Sequence, residues 1–210
     1  MREYKLYIFD LDGTLVDTKP DIARALQKML EEAGLPVPNL NEVARAIGGG
    51  AKNAVSMLTG FVGDDVLPHL ARFTQDYEQM CCDNTCVYEG GEALLRRLED
   101  SGAKLALVTM KYKTPTLKIL DAHGLTMFDA VLTFDDLSKR KPDPESLFML
   151  CERFGVDAAD VLMIGDTTTD IRYAQAAGAD CCAVAYGYGE TADLLALKPT
   201  YAVENLLEFL

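Results

Sequence analysis

The stretch Tyr7–Thr18, YIFDLDGTLVDT, decides how the chain is read. Four apolar residues, Leu6–Phe9, run straight into Asp10-Leu-Asp12-Gly13. A short apolar run without alternation reads as a strand buried on both faces, as in a parallel sheet. Two carboxylates at its end are either turn formers or chemical groups, and the rest of the chain separates the two readings.

Downstream, apolar runs of the same kind recur at Lys104–Thr109 (KLALVT), Ala130–Thr133 (AVLT), Val161–Ile164 (VLMI) and Cys182–Ala185 (CAVA). Between them, Gly91–Ser101, Thr114–His123, Pro144–Phe154 and Thr169–Ala177 carry helical spacing. Gly102, Gly124, Gly155 and Gly178 follow these helices, where a left-handed cap is wanted. Strand–helix alternation with short loops predicts a doubly wound α/β parallel sheet, a Rossmann-like core. The alternation breaks between Lys19 and Val87, which offers no strand. Pro20–Ala33, Val43–Ile47, Ala51–Leu58 and Asp64–Met80 read as helices. The predicted organisation is a core of residues 1–17 and 86–210, with an all-helical insertion at 18–85. The linkers near Val16–Lys19 and Thr85–Glu89 would let that insertion open and close.

In an open parallel sheet, ligands bind at the carboxyl ends of the strands. Asp10 follows the first strand, Thr109 ends KLALVT, Lys141 lies in the loop after AVLT, and Asp166 follows VLMI within IGDTTTDI. Four strand ends thus bring two carboxylates, a hydroxyl and an amine to one cleft. Clustered hard oxygen ligands suit Mg²⁺.

Net charge is −13, from 33 acidic and 20 basic residues. That balance argues against nucleic acid, which needs a basic footprint. For an anionic substrate it requires local positive charge, from a lysine, a metal ion or helix N-termini. The six cysteines have no zinc-site spacing and read as reduced thiols, and no apolar run approaches the roughly 18 residues of a membrane span. The expected setting is cytoplasmic, with no membrane partner, for a monomer or homodimer.

DLDGT (Asp10–Thr14), Thr109 after a strand, Lys141-Pro142 and GDTTTD (Gly165–Asp170) resemble, in order, the four motifs of the haloacid dehalogenase superfamily. The resemblance covers the whole chain. The helical insertion looks like the family's C1-type cap, and the general appearance is closest to phosphoglycolate phosphatase-like enzymes. It implies a Mg²⁺-dependent phosphatase for a small phosphorylated metabolite. Asp10 would be the nucleophile and form an aspartyl-phosphate. Asp12 would protonate the leaving oxygen and then deprotonate water. Mg²⁺ would be held by Asp10, the backbone carbonyl of Asp12 and Asp166, with Asp170 in support. Thr109 and Lys141 would bind phosphate oxygens. Gly13 lets the backbone pass close to the phosphate, and Lys111 is a further substrate-binding candidate.

Two positions depart from the family's pattern. Met110 stands where asparagine is frequent, and Arg140 stands where glycine precedes the lysine. In the cap, IGGGAKN holds Gly48–Gly50 at a helix start. By resemblance, this loop faces the active site. Gly49, Gly50, Arg45 and Lys52 are its substrate-binding candidates, the two cations as partners of a substrate carboxylate. The histidines read as structural. Three other readings stay open on sequence. One is a phosphomutase of the β-phosphoglucomutase kind. The others are a non-catalytic binding protein on this fold and a receiver-type domain, the last disfavoured by the cap.

Overall fold

The computed structural model describes residues 2–47 and 49–210, with Asn41 and Ala44 described in backbone only. Its main sheet has six parallel strands: β1 (Leu6–Phe9), β4 (Lys104–Val108), β5 (Ala130–Leu132), β6 (Val161–Gly165), β7 (Asp180–Val184) and β8 (Tyr201–Val203). Their spatial order is β5-β4-β1-β6-β7-β8. β1 sits between β4 and β6, with Ile8 paired to Ala106 on one side and Met163 on the other. All four β1 residues are buried. Leu6 and Ile8 face one apolar cluster with Val108 and Met163, and Tyr7 and Phe9 face the other. That two-sided burial is why the strand reads as a continuous apolar run. The strand order reverses at β1, and its carboxyl end is the switch point where such sheets bind ligands.

The faces of the sheet are covered by α5 (Gly91–Asp100), α6 (Lys113–Ala122), α7 (Glu145–Phe154), α8 (Thr168–Ala177) and α9 (Thr191–Ala196). Gly102, Gly124, Gly155 and Gly178 have positive φ at or just past helix ends. The inserted segment holds α1 (Lys19–Glu32), α2 (Leu40–Ala46), α3 (Ala51–Thr59) and α4 (Leu67–Met80). α1 packs on α2 and α4, and α3 bridges α2 and α4. The buried face of α1, with Leu26, Met29 and Leu30, joins the cluster that reaches Leu11 and Leu15 beside the site.

The structure differs from the sequence reading at several short elements. The helix expected over Asp64–Met80 is a 3₁₀ turn (Gly63–Val66) followed by α4, with a proline in its first turn. Proline fits a first turn, where its missing N–H has no partner to lose. α2 starts three residues early because Asn39 and Glu42 cap each other's N–H groups reciprocally. The segment read as strandless ends in β3 (Cys86–Val87), antiparallel to β2 (Val16–Asp17), so the two linkers are zipped together. β7 starts at Asp180, and α9 and β8 had no reading. The cysteines are free thiols. Among the described residues no helix is long and apolar enough to cross a membrane.

Candidate active site

Asp10 is the first residue past β1, and its N–H donates to Ile164 O across the sheet at 3.0 Å. That bond fixes the carboxylate at the switch point. The chain then turns through Gly13, whose φ is +81°. A Cβ there would stand 2.3 Å from Asp166 Oδ2, and one at Gly187 would stand 2.2 Å from Asp166 Cβ. Glycine is required at both positions so that the backbone can enclose this carboxylate. Asp166 also accepts bonds from Thr14 Oγ1 (3.0 Å) and Tyr188 N (2.7 Å).

Asp170 lies in the first turn of α8, where Thr167 caps the helix. Thr167 N and Oγ1 donate to Asp170 Oδ2 at 3.1 and 2.6 Å. Carboxylate oxygens of Asp10, Asp166 and Asp170 all lie within 4.8 Å of one another. Lys141 Nζ reaches into this group, at 2.9 Å from Asp10 Oδ1, 2.6 Å from Asp170 Oδ1 and 2.9 Å from Val108 O.

All four groups are buried. Burial pushes the Asp10 carboxyl up to about 8; Lys141 pulls it down, and Asp170, Asp166 and Asp12 push it further up. Burial and Asp170 likewise raise Asp166 to about 6. Burial works against a charge on Lys141, but Asp10 and Asp170 outweigh it and hold the ammonium above the usual lysine range. The shifts on Asp10 and Lys141 pull opposite ways on their pairing. With three carboxylates around one ammonium, the lysine stays charged and the surplus negative charge falls on the carboxylates. That surplus, hard oxygen donors and burial fit a divalent cation.

Asp12 stands apart from the trio. Its Oδ1 accepts from Lys111 Nζ at 2.7 Å and from Thr18 Oγ1 at 2.6 Å. Thr109 is buried at the end of β4, its Oγ1 accepting from Lys111 N at 3.2 Å. The basic run before Pro142 separates cleanly. Lys141 enters the site, Arg140 lies over the Phe134 ring at 3.8 Å, and Lys139 pairs with Asp143 on the surface.

Between the sheet edge and the inserted helices lies a cavity of about 300 Å³, bounded by Asp10, Asp12, Thr109, Met110, Lys111 and Lys141 below. Ile22, Gly49, Gly50, Phe73 and Tyr77 close it from above. Gly50, with φ +85°, is the N-cap of α3. Gly48 lies outside the described residues. Arg45 and Lys52 are exposed and lie outside the cavity lining, so the structure does not bring these two candidates to the site.

Sequence reasoning missed Tyr188, Tyr77 and Thr18. Tyr188 lines the cavity from the loop after β7. Its signal was available: YGYG (Tyr186–Gly189) follows a strand, as DLDG does.

A profile described as haloacid dehalogenase-like hydrolase matches residues 7–184. A protein named phosphoglycolate phosphatase from Nitrosospira multiformis is 37% identical over 97% of this chain and 93% of its own length. One of the same name from Aliivibrio fischeri is 37% identical over 89% of this chain and 86% of its own. Among solved structures, a predicted phosphoglycolate phosphatase from Haemophilus somnus superposes with a TM-score of 0.91 at 29% identity. That match covers 100% of this chain and 97% of the other. The chain belongs to the haloacid dehalogenase-like hydrolases and groups with their phosphatases.

Proposed function

We propose that this phosphatase is Mg²⁺-dependent and hydrolyses a small phosphorylated metabolite, phosphoglycolate or a sugar phosphate, through an aspartyl-phosphate on Asp10. The observation that carries the reading is the convergence of Asp10, Asp166, Asp170 and Lys141 at the switch point. Asp10, Asp166 and the backbone carbonyl of Asp12 would hold the ion, with Asp170 in support. Bound there, Mg²⁺ would supply the positive charge that lets a carboxylate meet a phosphate.

The chain's own residues account for the rest. An Asp10 oxygen bonds to phosphorus as the ester P–O bond breaks. The leaving oxygen takes the proton of Asp12. Water then attacks phosphorus and gives a proton back to Asp12, and the Asp10–phosphorus link breaks to release inorganic phosphate. Thr109 and Lys141 bind the phosphoryl oxygens and offset charge in the transition state. A cavity of about 300 Å³ suits a small monoester. This site also answers how a chain of net charge −13 accepts an anion, because Lys141 and Lys111 put positive charge inside it.

The test is inorganic phosphate release from phosphoglycolate and a panel of sugar phosphates, with and without Mg²⁺, for wild type and Asp10→Asn. Release that needs both Mg²⁺ and Asp10 supports the reading. Release without Mg²⁺, or by Asp10→Asn, overturns it. Sugar phosphate isomerisation without phosphate release points to a mutase.

A further inference from the structure

Tyr188 has no role in the reaction as written, yet it joins three parts of the site. Its N–H donates to Asp166 Oδ2 at 2.7 Å. Its ring lies against the turn after Asp12, where a Cβ on Gly13 would stand 3.0 Å from the ring carbon Cγ. Its hydroxyl oxygen accepts from Thr18 N (2.8 Å) and Lys19 N (2.9 Å). That hydroxyl donates to Asp17 Oδ1 at 3.0 Å and lies 3.2 Å from Thr18 Oγ1. Lys19 Nζ covers the ring at 4.2 Å.

Thr18 and Lys19 are the N-cap and first residue of α1, where helical N–H groups have no acceptor within the helix. A threonine N-cap ordinarily turns its own hydroxyl to the N–H of the second or third helical residue, and the second here is Pro20, which has none. Here the Thr18 side chain makes no capping bond, because its hydroxyl is turned to Asp12 Oδ1 at 2.6 Å. The phenol of Tyr188 accepts the first two N–H groups from across the hinge, and the Thr18 hydroxyl holds Asp12.

We infer that Tyr188 is a positioning residue for proton transfer: by capping α1 it commits Thr18 to orienting the Asp12 carboxylate relative to Asp166. The inference rests on Asp12 being the proton donor, as proposed above. Without the phenol oxygen, Thr18 N loses its acceptor, while Lys19 N keeps Asp17 Oδ1 at 3.1 Å. Local side chain–backbone bonding then competes for the Thr18 hydroxyl. Asp12 loses its fixed direction while Asp10, Asp166 and Lys141 keep theirs.

Tyr188→Phe tests this, since it keeps the ring and the backbone N–H and removes only the hydroxyl. Two substrates separate proton donation from the rest. The nitrophenolate of p-nitrophenyl phosphate leaves without a proton, whereas the alkoxide of phosphoglycolate needs one. The expected result is a fall in kcat/KM on phosphoglycolate of about 10–100-fold and near wild-type kcat/KM on p-nitrophenyl phosphate, because kcat/KM reports phosphoryl transfer to Asp10 and not the later attack of water, which uses Asp12 with either substrate. Thr18→Val should show the same split, and Thr18→Ser should retain wild-type behaviour. Amide hydrogen exchange at Thr18 should quicken in Tyr188→Phe. Equal loss of kcat/KM on both substrates, no loss on either, or unchanged exchange would overturn the inference. Asp12→Asn, run alongside, should show a larger split. If Asp12→Asn shows none, the donor assignment falls and takes this inference with it. If Asp12→Asn splits the substrates and Tyr188→Phe does not, only the role of Tyr188 falls.

Discussion

The Lys111 ammonium is bonded to the Asp12 carboxylate at 2.7 Å, and the lysine side chain is only 6% exposed. Its Nζ also lies 4.6 Å from the ring centre of Tyr77 in α4, so one cation touches both walls of the cavity. Among the described residues, Lys111 and Lys141 are the cations that line it. In the proposed reaction Lys141 meets the phosphoryl oxygens, which would leave Lys111 to meet negative charge on the part of the substrate remote from the phosphoryl group. Lys111→Met should raise KM for phosphoglycolate about tenfold, the order of one charge-assisted hydrogen bond. The expected change in kcat is smaller. Lys52→Ala should leave KM unchanged, since Lys52 is exposed and outside the cavity. Steady-state kinetics on the two variants checks both statements, and a KM rise confined to Lys52→Ala would reverse the assignment.

Lys141 and Asp10 should respond oppositely when altered without metal. Lys141→Met leaves Asp10 and Asp170 buried with no cation, and breaking such a pair costs about 3–5 kcal/mol. For a chain of this size that lowers Tm by roughly 10 °C, and added Mg²⁺ should restore part of the loss. Phosphate release should fall about 10²–10³-fold.

Asp10→Asn removes one of three mutually repelling carboxylates while Lys141 keeps Asp170. Its metal-free Tm should therefore rise by a few degrees, and its gain from Mg²⁺ should shrink. Thermal melts with chelator and with Mg²⁺ check this. A metal-free Tm below that of wild type would mean that the Asp10–Lys141 bond outweighs the repulsion.

The readable part of this site is the part attached to strands. Asp10, Thr109 and Asp166 each follow a run of buried residues, so the sheet fixes where they go once the strands are found. Lys141 was legible by its place after β5, although two neighbouring cations competed for its role until Arg140 was seen on Phe134. The cap was legible as helices and opaque as a surface. One residue of phase turns a helical side chain by about 100°, enough to put Arg45 and Lys52 outside the cavity and Phe73 and Tyr77 inside it. β2 and β3 are two residues each and carry no periodicity. Tyr188 acts through backbone groups far away in sequence, and no local pattern encodes that.

Asp21 predicts how acid loosens the hinge. Its buried carboxylate accepts from Asn84 N and Nδ2, each at 2.8 Å, and from Thr85 N and Oγ1 at 2.8 and 3.1 Å. These bonds tie the start of α1 to the segment leading into β3. Burial pushes this carboxyl up, but the bonds from Asn84 and Thr85 outweigh it and carry it below the ordinary range. A folded value below the unfolded one stabilises the protein fully above about pH 4, and that contribution disappears as pH falls through the lower folded value. Asp21→Asn should lower Tm at pH 7 by several degrees, for a loss of about 1.5–3 kcal/mol. The gap to wild type should close as pH falls below the ordinary carboxylate range. A gap independent of pH would show that shape, not charge, sets the contribution of Asp21.

Tyr77 offers a substitution that should stabilise. Its side chain is buried in α4, its ring stacks on Phe73 at 5.7 Å, and Lys111 faces that ring. Among the described residues its hydroxyl is a buried polar atom with no hydrogen-bond partner. An unsatisfied buried group costs about 1–3 kcal/mol of desolvation. Tyr77→Phe deletes that cost and keeps the stack and the cation–ring contact, which depend on the ring alone. The Tm should rise by about 2–4 °C for each kcal/mol recovered, with the Mg²⁺-dependent stabilisation unchanged. Paired melts of wild type and Tyr77→Phe at one Mg²⁺ concentration decide it. A lower Tm would mean that the hydroxyl bonds a partner within the protein, and the cap would then close over the site differently from the arrangement seen here.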